Sequence, residues 1–231
     1  MKKILIAAVA ALALLSSCKK DNYYMYGAIE TGNFNKGVFV TDNGLRFTIR
    51  ENLTETDIST LDRAIIMCDI YGPENTTGVY EIRLRNYAEM AIVEPLLQSA
   101  VLAEREFSTD PLSLTRCWRS GNYINLGLGF MTMRGGTAEH RFDVIVDDTH
   151  ELDDSLRIRI EHFADGEYPG SDTFNFISSE TSGCYLSVPT EGIIAGNPEK
   201  VPFKVTLSSY KYDVYGDPME GYEIKEYKGD L

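Results

Sequence analysis

The sequence predicts an all-β fold, in which a small OB-like barrel is followed by a β-sandwich. Three features of the chain lead to this prediction. Short segments rich in β-branched and aromatic residues recur along its length, turn residues such as Asn, Gly and Pro separate them, and the pattern changes around residues 96–107. Together these features indicate two β-domains in succession.

The first 17 residues have the pattern of an export signal. Lys2 and Lys3 supply a positive n-region, and the apolar run Ile4–Leu15 follows them directly. Its twelve residues are too few to span roughly 30 Å of hydrocarbon, which argues against a transmembrane helix. We therefore interpret residues 1–17 as a signal peptide that is removed from the mature protein.

The signal peptide ends at Cys18, the predicted lipid attachment site. Leu15-Ser16-Ser17-Cys18 resembles the bacterial lipobox, in which the cysteine thiol is acylated before the peptide is cut. The alternative is an ordinary signal peptide with an incidental cysteine. Each buried acyl methylene contributes about 0.8 kcal/mol, so two or three chains hold a protein in its membrane almost permanently. We expect a lipidated tether over residues 18–22 and an outer-membrane or cell-surface location, in either leaflet.

The mature chain is strongly acidic. Its 214 residues carry 20 basic and 35 acidic side chains, which gives a net charge of −15. Nucleic-acid binding depends on Lys and Arg side chains that release counterions from phosphates, so nucleic acid is not expected as a partner. The expected partners are the membrane, through the lipid on Cys18, and an envelope protein or glycan that the sequence does not identify.

Residues 23–95 predict the OB-like barrel. Two β-prone runs around Asn43-Gly44 indicate a hairpin, and the polar stretch Glu51–Asp62 predicts a short helix capped by Thr54 or Thr56. The five predicted strands are Tyr24–Ile29, Val38–Thr41, Leu45–Ile49, Ala64–Tyr71 and Val79–Tyr87. Such barrels often bind oligonucleotides or sugars, but a fold alone does not carry function, so a spacer or docking module is the interpretation we favour.

Residues 96–107 form the predicted linker, and residues 108–231 the predicted β-sandwich. Seven or eight short strands separated by turn residues are typical of a sandwich. The predicted strands are Leu114–Trp118, Tyr123–Phe130, Arg141–Val146, Ser155–Phe163, Thr173–Ile177, Cys184–Val188, Phe203–Tyr212 and Gly221–Tyr227. We expect each part to fold alone, with the smaller barrel the less stable.

Two features of the sandwich sequence bear on binding. Tyr123–Phe130 alternates between apolar residues, which predict a core face, and small or polar ones. Gly127 and Gly129 on the second face indicate close packing, with a binding groove as the alternative. We interpret Trp118, the only tryptophan, as a core anchor, and ligand stacking is the lesser alternative.

The chain resembles the NigD-like lipoproteins of Bacteroidetes. The resemblance lies in the lipobox followed by Lys19-Lys20-Asp21, the hairpin turn Asp42-Asn43-Gly44, Asp110-Pro111-Leu112, Trp118, and Tyr123-Ile124-Asn125-Leu126. It covers nearly the whole mature chain. It implies an N-terminal OB domain joined to a C-terminal β-sandwich, a lipid-anchored envelope protein, no catalytic motif, and a link to a bacteriocin gene cluster.

No residue pattern indicates an enzyme or a cofactor. The histidines, His140, His150 and His162, do not form a His-Glu-x-x-His or similar zinc motif. The acidic run Asp147–Asp154 lacks the glycine and the spacing of a calcium loop, so we interpret it as a solvated turn. A carboxylate pair for glycoside hydrolysis stays open as an alternative, because its two members meet only in three dimensions.

The cysteines other than Cys18 are three in number. Cys68 lies within an apolar predicted strand and should be a buried free thiol. Cys117 and Cys184 both fall in the predicted sandwich, and in an oxidising compartment they are the candidate pair for a disulfide. The alternative is three reduced cysteines that pack as small apolar residues.

Three functions are consistent with these observations. The one we favour is a lipid-anchored envelope protein with a non-catalytic binding or accessory role, whose ligand is a protein or a glycan. The first alternative is an immunity protein that intercepts a bacteriocin. The second is an envelope hydrolase that acts through carboxylates.

Replacement of the lipid attachment residue tests the export prediction. Cys18→Ala removes the thiol that would be acylated, so the variant should move from the detergent-extracted membrane fraction to the soluble periplasmic fraction. Cell fractionation with immunodetection measures this change. A variant that still fractionates with membranes would show that Cys18 is not the anchor.

Overall fold

The computed structural model describes residues 24–72, 78–101, 108–149, 155–169, 171–172, 174–193, 202–212 and 218–229. The predicted signal peptide, the tether and Cys18 lie outside these residues. Strands dominate the described chain, and no helix within it has both the length and the apolarity to cross a membrane.

The first five strands close into a barrel. Along the chain they are β1 (Tyr24–Asn35), β2 (Val38–Thr41), β3 (Arg46–Asn52), β4 (Arg63–Gly72) and β5 (Tyr80–Ile92). In space their order is β3-β2-β1-β4-β5, and β3 pairs again with β5 in parallel, so the sheet closes on itself. This is the OB-type barrel that the sequence predicts.

Apolar side chains fill the barrel because alternate residues of each strand face inward. The predicted hairpin joins β2 to β3, and Gly44 adopts the positive φ of 84° that its turn requires. Cys68 is fully buried, as predicted. The buried core residues are Phe39, Phe47, Ile58, Ala64, Ile66, Cys68, Ile70, Ile82 and Leu84.

The segment between β3 and β4 is not the predicted helix. The Asn52 side-chain oxygen accepts hydrogen bonds from the Thr54 amide at 2.9 Å and from the Thr54 hydroxyl at 2.8 Å. The Asn52 side-chain amide donates to the Thr56 carbonyl at 2.7 Å. Asn and Thr side chains compete in this way with helical backbone bonds, so the segment folds as successive turns around the buried Ile58.

The later strands form a two-layer sandwich. One layer contains β7, β8 and β11, and the other has the order β13-β12-β10-β9-β6. The strands are β6 (Leu96–Leu97), β7 (Ser113–Ser120), β8 (Tyr123–Met133), β9 (Arg141–Val146), β10 (Leu156–Phe163), β11 (Ser179–Pro189), β12 (Phe203–Tyr212) and β13 (Pro218–Gly229). A short helix α1 (Gln98–Val101) follows β6, and a 3-10 helix (Phe176–Ser178) precedes β11.

The alternation predicted for β8 is confirmed. Its four apolar residues, Ile124, Leu126, Leu128 and Phe130, are all buried, and the first three belong to the core between the two layers. Other parts differ from the sequence prediction. Leu96–Leu97, within the predicted linker, pairs with β9 in the sandwich, and the end of the predicted strand Thr173–Ile177 lies in the 3-10 helix.

The barrel and the sandwich share one sheet. The end of β5 pairs in parallel with β11, with Met90, Ala91 and Ile92 opposite Tyr185, Leu186 and Ser187. This pairing joins the barrel strands to β11, β8 and β7 in a sheet of eight strands. Backbone hydrogen bonds therefore cross the junction, and the expectation that each part folds alone stays a prediction.

A buried arginine connects the same two parts. Arg63, the first residue of β4, is fully buried. Its guanidinium forms a two-pronged ion pair with Asp42, with N–O distances of 2.8 and 2.6 Å, and donates to the Asn33 side-chain oxygen at 2.5 Å. Asp42 lies in the β2–β3 turn and Asn33 on β1, so these partners belong to the barrel.

The sandwich provides the other partners of Arg63. Its Nε donates to the Ser187 hydroxyl at 2.8 Å, and one terminal nitrogen donates to the Asn125 side-chain oxygen at 3.2 Å. The guanidinium carbon lies 3.9 Å from the centre of the Tyr123 ring. A guanidinium has five N–H donors, so three barrel bonds and two sandwich bonds satisfy all of them.

Removal of this arginine should destabilise the whole protein. Arg63→Met leaves Asp42 buried without its counter-ion, so we expect the free energy of unfolding to fall by about 3–5 kcal/mol. Urea unfolding followed by circular dichroism measures the change. The matched control is Arg50→Met, because the Arg50–Glu81 pair is exposed and should contribute little. An equally small effect of both substitutions would contradict the role of Arg63.

The structure does not form the predicted disulfide. Cys117 lies on β7 opposite Leu126 of β8, and Cys184 lies on β11 opposite Leu128 of the same strand. Because β8 runs between them, their strands are about 10 Å apart, whereas a disulfide needs Cα atoms within about 7 Å. Both are free, as is Cys68, so the structure has the alternative arrangement of three reduced cysteines.

Thiol counting tests this arrangement. Burial raises the pKa of Cys117 to about 12 and that of Cys184 to about 11, so both thiols should react slowly in the native protein. In denaturant, the mature chain without Cys18 should show three reactive thiols with a colorimetric disulfide reagent. A count of one would show that Cys117 and Cys184 are bridged.

Candidate ligand-binding cleft

A cleft of about 270 Å³ lies where the barrel meets the sandwich. Its walls come from β1, the β2–β3 turn and β4 on the barrel side, and from β7 on the sandwich side. The lining residues are Ile29, Glu30, Thr31, Asp42, Asn43, Ile65, Arg116, Trp118 and Ser120. They combine one aromatic ring, two aliphatic side chains and several hydrogen-bonding groups.

Trp118 faces this cleft, so its predicted place in the core is wrong. The reason is a β-bulge in β7 between Leu114 and Arg116. Leu114 and Cys117 both pack against the sandwich core, so the bulge reverses the alternation and turns Trp118 outward. The indole is half-buried and is held edge-on by Tyr185, with ring centres 6.2 Å apart.

Polar side chains surround the indole. The Arg116 guanidinium carbon lies 5.2 Å from the centre of the Trp118 ring. Glu30 and Asn43 also line the cleft, and among the described residues no side-chain hydrogen bond or ion pair engages either of them. Burial, followed by the charge of Asp42, raises the pKa of Glu30.

The floor of the cleft belongs to the arginine network. Ser120 donates to the second carboxylate oxygen of Asp42 at 2.5 Å and accepts a hydrogen bond from the Asn125 amide at 2.8 Å. Gly121, at φ 53°, brings the β7–β8 turn so close that a Cβ there would lie 3.2 Å from the Asp42 Cβ. The bonds that join barrel to sandwich therefore also fix the floor of the cleft.

Close packing accounts for the two glycines of β8. A Cβ on Gly127 would lie 2.9 Å from the Thr115 hydroxyl and 3.1 Å from the Tyr185 ring, and one on Gly129 would lie 3.3 Å from the Thr115 methyl. Side chains from β7 and β11 thus cover this face. The close packing predicted from the sequence is present, and no groove opens over these glycines.

His140 and His162 meet in an aromatic cluster. His162 Nδ1 lies 3.1 Å from the Pro111 carbonyl, which can only accept, so this nitrogen carries the hydrogen. His162 Nε2 then accepts from His140 Nδ1 at 2.9 Å. Phe142 stacks on His162 with ring centres 5.0 Å apart, and Phe130 packs against both histidines. Phe130 and His162 are buried in this cluster, and His140 and Phe142 are partly buried.

The structure describes only part of the acidic run Asp147–Asp154. Asp147 accepts hydrogen bonds from the amide and the hydroxyl of Thr149, which closes a turn. Asp148 accepts from the Ser99 amide at 2.8 Å and from its hydroxyl at 2.5 Å, and these bonds lower the pKa of Asp148. His150 and residues 151–154 lie outside the described residues. Across the described chain, no group of three or more His, Cys, Asp or Glu residues is arranged to hold a metal ion.

The fold defines a two-part β-protein, an OB-type barrel joined to a β-sandwich with a cleft at their junction. The family of the NigD-like C-terminal beta sandwich domain matches residues 93–215, which is more than half of the chain. The chain therefore belongs to the NigD-like family, as its sequence indicates. No curated protein matches it.

Solved structures with the same fold include three from Bacteroides species. A candidate lipoprotein of B. fragilis has a TM-score of 0.59 and 12% identity, with 90% of this chain and 97% of that chain covered. A protein of unknown function from B. vulgatus has a TM-score of 0.57 and 15% identity, with 90% and 92% covered. A NigD-like immunity protein of B. caccae has a TM-score of 0.53 and 18% identity, with 89% and 97% covered. At these identities the similarity shows the fold alone.

The buried histidine predicts a dependence of stability on pH. Burial is the main reason why the pKa of His162 falls to about 4, so in acid the unfolded chain takes up this proton before the folded one. The contribution of His162 to stability is therefore complete above about pH 6.5 and is lost as the pH falls toward about 4.

Urea unfolding at about pH 7.5 and at about pH 4.5 measures this effect. Between these two values the wild type should lose roughly 2.5 kcal/mol more than His162→Gln, which cannot take up the proton. If both proteins lose the same stability, protonation of His162 does not limit folding in acid.

Proposed function

We propose that this protein is a lipid-anchored envelope protein that binds a ligand, without catalysis, in the cleft between its barrel and its sandwich. The observation that carries the proposal is the position of Trp118. The β7 bulge turns its ring out of the core and into a cleft where Glu30 and Asn43 have hydrogen-bonding capacity left over. An aromatic ring beside convergent polar groups is typical of a ligand site.

Binding without catalysis is consistent with the residues of the cleft. Its lining residues include no histidine, cysteine or lysine. Ser120 donates to Asp42, and that carboxylate is already paired with Arg63, so no free base lies beside the hydroxyl. The second carboxylate of the cleft, Asp42, is paired with the buried Arg63, so Glu30 has no second unpaired carboxylate beside it for the chemistry of a glycoside hydrolase. These features favour a binding role over the hydrolase alternative.

A lipid on Cys18 would hold the cleft near a membrane. Five residues, 19–23, lie between Cys18 and the start of β1, and the six Cα–Cα steps of an extended chain across them reach about 20 Å. We propose the outer membrane or the cell surface as the location. There the ligand would be an envelope component or a molecule that arrives at the cell surface.

Immunity to a bacteriocin is the second candidate function. The name of one structural neighbour, the NigD-like immunity protein of B. caccae, favours it. In this role the ligand would be a protein toxin. Deletion of the gene would then make cells sensitive to a bacteriocin encoded nearby, and re-expression would restore resistance.

Truncation of the cleft tryptophan tests the proposed function. The wild-type protein should bind either the polysaccharide fraction or the protein fraction of the envelope, and Trp118→Ala should weaken that binding at least about tenfold, since an aromatic anchor contributes about 2 kcal/mol or more. Biolayer interferometry, with the wild type or the variant immobilised, measures the binding of each fraction. Ile224→Ala on β13 is the matched control, because it truncates another exposed apolar side chain. A Trp118→Ala protein that binds as tightly as the wild type would overturn the proposal.

A further inference from the structure

We propose that the ligand is a linear, neutral oligosaccharide that extends from Trp118 along the outer face of β1 and β4. This inference rests on the proposed function, since it names the ligand class of the same cleft. It follows from the shape of the surface beyond the cleft and from the side chains along it. Strand pairing and net charge also make two other ligand classes, an extended peptide and a polyanion, fit less well.

The cleft does not end at the barrel wall. A second groove, of about 510 Å³, runs along the outside of the barrel, and Ile29 lines both. The outer face carries pairs of residues in register, Ile29 opposite Met67 and Gly27 opposite Asp69. From Thr31 to Gly27 the strand extends about 13 Å. Together with the cleft, this trough has the length of a chain of several sugar rings.

Apolar surfaces line the trough. Trp118 lies at one end, and further along lie Ile29, which is 61% exposed, and Met67, which is 44% exposed, side by side on neighbouring strands. Gly27 leaves the bottom open, because a Cβ there would touch only Asp69, at 4.0 Å. A pyranose ring has a C–H face that packs on such apolar surfaces.

Hydrogen-bonding groups of both kinds border these surfaces. Glu30, Asn43 and Arg116 lie at the tryptophan end. At the far end Arg85 pairs with Asp69 at 2.7 Å and is itself half-exposed. Carboxylate and amide oxygens accept, and amide and guanidinium N–H groups donate. Sugar hydroxyls do both, so vicinal hydroxyls match this mixture better than a purely apolar ligand would.

Two other ligand classes fit less well. An extended peptide gains affinity by pairing its backbone with a free strand edge. Among the described residues β1 pairs with β4 along the whole trough but with β2 only from Gly32 to Asn35, so a peptide added to the open edge would lie beside β1 and not over the outer face that carries Ile29 and Met67. A polyanion would be repelled by a chain whose net charge is −13 before processing. A neutral glycan avoids both difficulties.

Calorimetric titration of the mature lipoprotein in detergent tests the inference. The probes are neutral gluco-, manno- and xylo-oligosaccharides of one to six rings, with an oligosaccharide of uronic acids as the charged comparison. At least one neutral series should bind, with an affinity that rises with length up to about three or four rings, the length of the trough. The charged series should bind at least tenfold more weakly.

Variants separate the two ends of the trough. Trp118→Ala should weaken binding of every length at least tenfold. Met67→Ala should weaken only the longer chains, by about threefold or more, and Ile224→Ala should change nothing. If Trp118→Ala does not fold, as judged by circular dichroism, the inference is still tested by comparing the affinities of Met67→Ala and Ile224→Ala for the longer chains. Affinity that does not depend on chain length, or that is equal for the charged series, would overturn the inference.

Failure of the inference differs from failure of the proposed function. If no oligosaccharide binds but a protein fraction binds in a way that depends on Trp118, the ligand class is wrong and the cleft remains a binding site. If neither a glycan nor a protein fraction binds in a way that depends on Trp118, both are wrong.

Discussion

The ion pair between Arg63 and Asp42 is the interaction on which this molecule depends. Both side chains are almost completely removed from water, with 0% and 9% of their surface exposed. A buried guanidinium is tolerated only when its hydrogen-bonding capacity is met, because the lost hydration otherwise costs several kcal/mol. The barrel alone meets three of the five donors, and the sandwich completes the set. The native position of Arg63 therefore requires both parts at once.

This requirement also determines where a ligand can bind. Asp42 and Ser120 belong both to the network and to the floor of the cleft, so a rigid junction gives a rigid floor. The β7 bulge then adds the indole of Trp118 to the wall. A site preorganised in this way loses less conformational entropy on binding than a mobile loop would. The same buried bonds thus serve stability and recognition.

Local patterns predicted much of the fold. The alternation of β8 predicted its core face, and the Asn43-Gly44 turn predicted the hairpin of β2 and β3. Both predictions succeeded because such patterns depend only on residues that are neighbours in sequence. The parallel pairing of β5 with β11 joins residues almost a hundred positions apart and has no local signal. For the same reason the sequence did not reveal that β8 separates Cys117 from Cys184.

The cleft was harder to predict than the fold. Trp118 was expected in the core because simple alternation from Leu114 points it inward, and a single bulge reverses that direction. Arg63 looks like a charged residue at the start of a strand, and only its partners, distant in sequence, show that it is buried. A β-prone run that contains a polar Asn125 among apolar residues was the one available signal of a buried polar network.

Native-state hydrogen exchange tests most directly whether barrel and sandwich form one cooperative unit. The amides of Ala64 and Ile66 in β4 and those of Leu126 and Leu128 in β8 lie in the two cores. If the buried junction couples the parts, the slowest amides of both strands should open with the same free energy, equal to that of global unfolding. If the β4 amides open several kcal/mol more easily than those of β8, the barrel unfolds alone and the junction does not unite the molecule.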